Sequence, residues 1–256
     1  MKEFFYATAA VAQAEIRKLR RDPTELFSRA VQPVLWLAVF GQVFSKVRGI
    51  PTGDISYLDF MAPGILAQSI LFTAIFYGIA IIWERDLGIV HKLLVTPASR
   101  TALVLGKALA AGSRGLVQAI VVYLVALGLH IGIRWDLWAM VSVALAVFLG
   151  SCIFSTFSLV IACVVKTRER FMGIGQVLTM PLFFASNAIY PIELMPGWLK
   201  TIAFVNPLTY LVDALRDSMI LGGHGMYSQT TSFGIMAAVF VALLVTASKL
   251  YPGLVR

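Results

Sequence analysis

Side chains able to do covalent or metal chemistry are few in this chain, and their spacing does not bring them together. His91, His130 and His224 are scattered, and the His-Glu-x-x-His pattern of a zinc helix does not occur. Gly150-Ser151-Cys152 lacks the flanking pattern of a serine nucleophile elbow. Gly106-Lys107 resembles the end of a phosphate-cradling loop, but Thr101 stands where its first glycine belongs and Ala108 where its hydroxyl belongs. No nucleotide, metal or other cofactor is therefore expected on this chain. Cys152 and Cys163 share one apolar run, and a helix would hold them about 16 Å apart, too far to bond.

The elements that must carry these residues are apolar. Of 256 residues, 59% are hydrophobic and 13% charged, and the mean hydropathy is +0.84. A soluble domain carries about 25% charged residues. Charge-free runs at 30–45, 60–83, 115–133, 137–165, 171–192 and 230–248 give six candidate membrane helices. Asp22-Pro23-Thr24-Glu25 is a helix-start signal, so the first span is expected to begin near Pro23. With a cytoplasmic N-terminus and alternating spans, only Lys46, Arg48, Arg134, Lys200 and Arg216 of the 21 basic residues fall outside. That asymmetry predicts a multi-pass cell-membrane protein with both termini cytoplasmic. The net charge of +8 thus reflects orientation in a bilayer and does not call for a nucleic-acid partner.

The N-terminal stretch, with Lys2, an apolar run to Ala12 and the small-residue pair Ala12 and Ala14, superficially resembles a secretory signal. Thr8 interrupts the short run, which continues into charged residues 15–21. Phe5, Ala9, Ala12, Ile16 and Leu19 recur at helical spacing, with Arg17 and Lys18 on other faces. Residues 1–22 are therefore expected to form a basic amphipathic helix on the inner membrane surface. Residues 23–250 would form a six-span bundle and 251–256 a cytoplasmic tail, all in one domain.

Two connections invite function. Residues 83–100 are charged on both signs and carry Leu87, Val90, Leu93 and Leu94 at helical spacing ahead of Pro97. Such a helix could dock in a groove of another protein, with Glu84, Arg85 and Lys92 fixing the register; a solvated loop is the plain alternative. Residues 190–227 are too apolar for a free loop and too interrupted by proline for one span, which suggests short re-entrant helices. Trp198 and Tyr210 could equally be interfacial anchors. Gln68, Phe72, Phe76 and Tyr77, with Met180, Phe183, Phe184 and Asn187, offer an aromatic surface with a few polar groups. That surface would suit an amphipathic substrate, or simply pack helices or face lipid. The near absence of charge inside the spans disfavours a proton-driven carrier or ion channel.

Glu84, Arg85, Asp86 and Gly88, then Lys92, Leu93, Leu94, Pro97, Arg100 and Gly106-Lys107, resemble the coupling segment of type-2 ATP-binding-cassette export permeases. Pro181, Tyr190-Pro191, Met195-Pro196, Trp198, Asn206-Pro207-Leu208-Thr209-Tyr210 and Ala214-Leu215-Arg216 resemble that family's fifth span and outer re-entrant block, with Tyr190, Pro191, Pro196, Trp198, Asn206, Pro207 and Tyr210 as its gate. Tyr57, Phe60, Pro63 and Gly64 match its second span, so the likeness covers essentially the whole chain.

The resemblance implies an all-α polytopic permease subunit in a prokaryotic inner membrane, paired with itself or a related permease. It also implies two separate ATPase subunits that carry ATP and Mg. Residues 84–100 and the helix bearing Phe5, Ile16, Arg17, Lys18 and Leu19 would press on those ATPases. The expected cargo is a drug-like or lipid-like amphipathic molecule, with polysaccharide or lipo-oligosaccharide export as the alternative. From another class, an ATPase-independent membrane enzyme or ion-coupled carrier would need polar groups converging at one depth.

Overall fold

The computed structural model describes residues 2–21, 31–44, 55–165 and 167–255. Ten helices account for nearly all of them: α1 (Lys2–Arg21), α2 (Val31–Phe44), α3 (Tyr57–Asp86), α4 (Ile89–Val95), α5 (Arg100–Gly128), α6 (Leu137–Val164), α7 (Arg168–Phe184), α8 (Gly197–Val205), α9 (Pro207–Met219) and α10 (Gln229–Leu250). The helix-start signal at 22–25 and the side chains of Lys18 and Leu19 lie outside the described residues.

Helix starts follow the local chemistry of their caps. The first four N–H groups of a helix have no partner within it, and short polar side chains supply one. Ser56, Ser99, Asp136, Thr167 and Ser228 accept from the amides of Asp59, Ala102, Ala139, Arg170 and Thr231, opening α3, α5, α6, α7 and α10. Asn206 caps α9, and Pro207 follows at the position where a missing N–H costs nothing.

Among the described residues, four helical stretches are long and apolar enough to cross a membrane: Tyr57–Asp86, Arg100–Gly128, Leu137–Val164 and Gln229–Leu254. Thirty residues of α3 span about 45 Å. This helix is the most enclosed, buried along most of its length from Tyr57 to Ile82. Large apolar side chains such as Ile120, Leu124, Trp138, Leu145, Val241 and Val245 stay exposed on α5, α6 and α10. So broad an apolar surface belongs against lipid or another subunit, and the chain is an all-α polytopic membrane protein.

Three expected boundaries are corrected. The third run, expected at 115–133, belongs to a helix that begins at Arg100, so Lys107 and Arg114 sit inside it and do not flank it. It ends at Gly128; His130 then adopts φ +57°, and Ile133 pairs with Ile220 in an isolated antiparallel bridge. The fifth run, expected to reach 192, is helical only to Phe184. At its end the carbonyls of Leu182 and Ala185 are taken by the Asn206 side chain, and that of Phe184 by the Tyr190 hydroxyl. The 14-residue α2, containing a π-helical turn at Trp36–Gly41, and the 17-residue α7 are shorter than the four long apolar stretches.

Close approaches fix the packing. A Cβ on Gly64 of α3 would lie 2.1 Å from the Ala188 carbonyl oxygen, and one on Gly78 would lie 2.3 Å from Ser158 Oγ. Ser158 meanwhile accepts the Gly78 amide at 3.0 Å and donates to the Ile75 carbonyl, pinning α6 to α3. The core divides along the bundle. One cluster around Tyr77, Val90, Phe171 and Tyr251 fills the end that carries α1 and α4, here the near end. A larger one around Phe60, Leu66, Phe154 and Leu211 extends to the far end, where α8 and α9 lie.

Candidate functional site

At the near end, α3 turns into α4 through Gly88, whose φ of +71° is a left-handed conformation that glycine adopts without steric cost. The amides of Leu87 and Gly88 return to the carbonyls of Trp83 and Arg85, both at 2.9 Å. The stripe expected to dock on another protein is instead mostly turned into this chain's own core: Val90 is buried, Leu93 and Leu94 are half-buried, and only Leu87 is left 70% exposed. Leu87, Ile89 and Val95 form instead an exposed apolar surface beside His91 and Lys92. Pro97 and Arg100, exposed as well, lead into α5. Asp86 bridges Arg85 at 2.8 Å and Arg168 of α7 at 2.9 Å, and the Arg168 guanidinium lies 4.8 Å from the centre of the Trp83 ring.

Behind this hairpin lies a buried ion cluster. Lys107 Nζ of α5 is 2.5 Å from Glu84 Oε2 of α3 and 3.3 Å from Glu15 Oε1 of α1. Arg114, one heptad further along α5, reaches Glu15 Oε2 at 3.4 Å and lies 4.4 Å over the Tyr77 ring. Two carboxylates and two cations balance in charge, which makes their burial tolerable. Glu84, expected to fix register on a partner, therefore faces the chain's own interior. Sequence reasoning missed the cluster because its members come from three distant segments. The available signal was Lys107 and Arg114 seven residues apart, on one helical face.

The same cluster orients α1. Thr8, Val11 and Glu15 face α5, and a Cβ on Gly106 would lie 2.8 Å from both the Thr8 carbonyl oxygen and Val11 Cβ. Phe5 and Arg17 are exposed and Ile16 is half-buried.

The far end brings most of the proline-rich block together. Tyr190 and Asn206 hold the end of α7 as above, and Tyr210 Oη donates to the Phe204 carbonyl at 2.6 Å while its ring lies 5.1 Å from that of Tyr227. Pro196 precedes α8. Trp198, at 68% exposure, points away from the group. Beneath these lies a second set of charges the sequence reading did not single out as a site. Arg216 donates to the Asn187 carbonyl at 2.6 Å and to the Phe60 carbonyl at 3.4 Å, with its guanidinium 3.9 Å over the Phe60 ring. Asp213 accepts from the Asn187 side-chain amide, accepts the Tyr227 amide at 2.9 Å, and faces Arg216 at 3.9 Å. The signal was Asp213 and Arg216 three apart in an apolar stretch.

The residues expected along a substrate path are dispersed. Gln68, Tyr77, Phe183 and Asn187 are buried in the chain's own interior; Phe72 and Phe76 are half-buried; Met180 and Phe184 are exposed on α7. Among the described residues, no three His, Cys, Asp or Glu side chains group to hold a metal. Cys152 donates to the Ala108 carbonyl at 3.2 Å, a packing role.

A polytopic helical bundle with a capped hairpin at one end and a proline-broken pair of helices at the other defines a membrane transport subunit when joined to the comparisons. The profile of the ABC-2 type transporter family matches residues 6–220, and the chain belongs to that family. It is 32% identical over 202 residues to "Putative transport permease ycf38" of Cyanophora paradoxa, covering 78% of this chain and 69% of the relative. It is also 27% identical over 203 residues to the daunorubicin resistance ABC transporter permease protein DrrB1 of Streptomyces coeruleorubidus, covering 77% and 69%.

Proposed function

We propose that this chain is the membrane subunit of an ATP-driven exporter, one permease domain of six spans in an inner membrane with both termini in the cytoplasm. On this reading α2 and α7 are the two shorter spans and α8 and α9 dip into the outer leaflet. The near end is cytoplasmic, and α1 lies along the inner surface with Phe5 turned to lipid. Two copies, or one copy and a related permease, would work with two ATPase subunits that bind ATP and Mg.

The observation that carries this reading is the hairpin at residues 87–95. Exposed Leu87, Ile89 and Val95 form a surface suited to a groove on another protein, and the ion cluster behind them ties that surface to α1, α3 and α5. A push on the hairpin would reach three helices at once. Arg85, Asp86 and Arg168 would carry it to α7.

The exposed side of α7 supports a paired arrangement. Gln176 is exposed at the ninth position of a 17-residue apolar helix, between Met172 and Met180. A primary amide facing hydrocarbon is costly, so this side belongs against water or a second subunit. Met180 and Phe184 would then line the path between copies. The drug-resistance permease among the relatives supports a drug-like or lipid-like amphipathic cargo over a saccharide.

The test is extraction in mild detergent, mass determination of the intact complex, and transport by the same complex in vesicles. Two permease copies with two ATPases, and export that follows ATP and ignores ion gradients, are expected. A particle without ATPase from cells expressing one, or export that collapses with the ion gradient, would sink the reading.

A further inference from the structure

A cavity of about 200 Å³ opens at the far end between the turn after α7 and the loop after α9, lined by Phe60, Asn187, Glu193, Asp213, Arg216 and His224 among others. It is smaller than the roughly 300 Å³ at which sites for drug-sized ligands begin, so its occupant is a small group. Two of the lining side chains are incompletely satisfied. Arg216 is only 4% exposed and Asn187 only 3%, yet Arg216 Nε and Asn187 Oδ1 have no hydrogen-bond partner among the described residues. Buried polar atoms of this kind are nearly always paired, and an unpaired pair on one cavity wall points to something that enters it.

The chemistry of that occupant follows from the wall. Arg216 Nε–H needs an acceptor and Asn187 Oδ1 needs a donor. The two residues touch directly, Arg216 donating to the Asn187 carbonyl at 2.6 Å. One small ligand carrying both a donor and an acceptor would therefore serve the two residues together. Charge selects further. Asp213 balances Arg216 at 3.9 Å, which leaves Glu193 as the uncompensated charge on the lining, exposed at its rim. His224 is the other titratable side chain on the rim. An excess negative charge beside an orphan acceptor favours a protonated amine.

We propose that this cavity binds a small protonated amine that also bears an oxygen acceptor, such as an amino alcohol or its O-substituted form, the ammonium held by Asn187 Oδ1 and Glu193 and the oxygen accepting from Arg216 Nε. Two sources carry that chemistry: an ethanolamine lipid headgroup, and a soluble amino alcohol or amino sugar.

The test uses the full chain in phosphatidylcholine nanodiscs at pH 8, with binding followed by saturation-transfer NMR. Ethanolamine and glucosamine are expected to bind saturably, at least 10-fold more tightly than ethylene glycol and glucose. Glu193→Gln, a change at an exposed side chain, is expected to remove most of that preference while leaving the unfolding temperature unchanged. Adding phosphatidylethanolamine to the nanodisc separates the sources: displacement of ethanolamine assigns the headgroup, and no displacement assigns the soluble amine. Absence of saturable ethanolamine and glucosamine binding, equal affinity for the neutral analogues, or an unaltered preference in Glu193→Gln would each overturn the proposal. Neither an ATPase nor transport is required, so such a failure leaves the exporter reading standing.

Discussion

Lys107 holds two carboxylates from two other helices, and its removal would strand both in an apolar interior. Breaking a buried ion pair from one side costs about 3–5 kcal/mol, because the charge left behind has lost its water as well as its partner. Lys107→Met is therefore expected to lower the unfolding temperature of the detergent-solubilised chain by many degrees. Glu84→Gln, which leaves Glu15 to pair with both Lys107 and Arg114, should cost distinctly less. Equal shifts in the two variants would show that the cluster does not act as a charge-balanced unit. Gly64 sets a different constraint. A methyl group there would meet the Ala188 backbone at 2.1 Å, so α3 and the turn after α7 would have to separate. Gly64→Ala should destabilise by about 1–3 kcal/mol, as overpacking does in well-packed cores, measured in the same melts.

The hairpin between α3 and α5 separates stability from coupling. Gly88 has open space around a Cβ, so Gly88→Ala is strained only by its left-handed backbone, by about 1–2 kcal/mol. Leu87 is 70% exposed and lies outside the core clusters. Leu87→Asp is expected to leave thermal unfolding unchanged while reducing copurification of the ATPase at least 10-fold; intact copurification would show that the partner docks elsewhere. The contrast with Glu84 matters for interpretation. Loss of coupling in a Glu84 variant would follow from internal collapse of the ion cluster as readily as from a lost contact, whereas Leu87 reports on the surface alone.

For the molecule as a whole, the proposed topology places the loop ahead of α10 outside and the α3–α4 hairpin inside. Single cysteines at Ser228 and His91, both exposed, in a chain with Cys152 and Cys163 replaced by alanine, test it directly. A membrane-impermeant maleimide on intact cells should label the first and spare the second. The reverse pattern would invert the bundle. Helix α10 adds a second question at this scale, since only 11% of its most apolar stretch is buried. A helix so little covered by its own chain must meet lipid or another subunit.

The bundle, its helical class and the two informative connections were legible in one dimension, because long uncharged runs, capping residues and prolines act locally and do not depend on distant partners. Helix ends were less legible: α5 runs a full 15 residues ahead of the uncharged run, since Ser99 caps it and Lys107 and Arg114 are neutralised from α1 and α3. The end of α7 is set by Asn206, some twenty residues away in the chain. Tertiary structure alone decided that Glu84 turns inward while Leu87 turns out, and that Asn187, Asp213 and Arg216 share one cavity wall. A buried charge can exist only where its partner is, and the partner's position is a fact of folding that spacing along the chain does not contain.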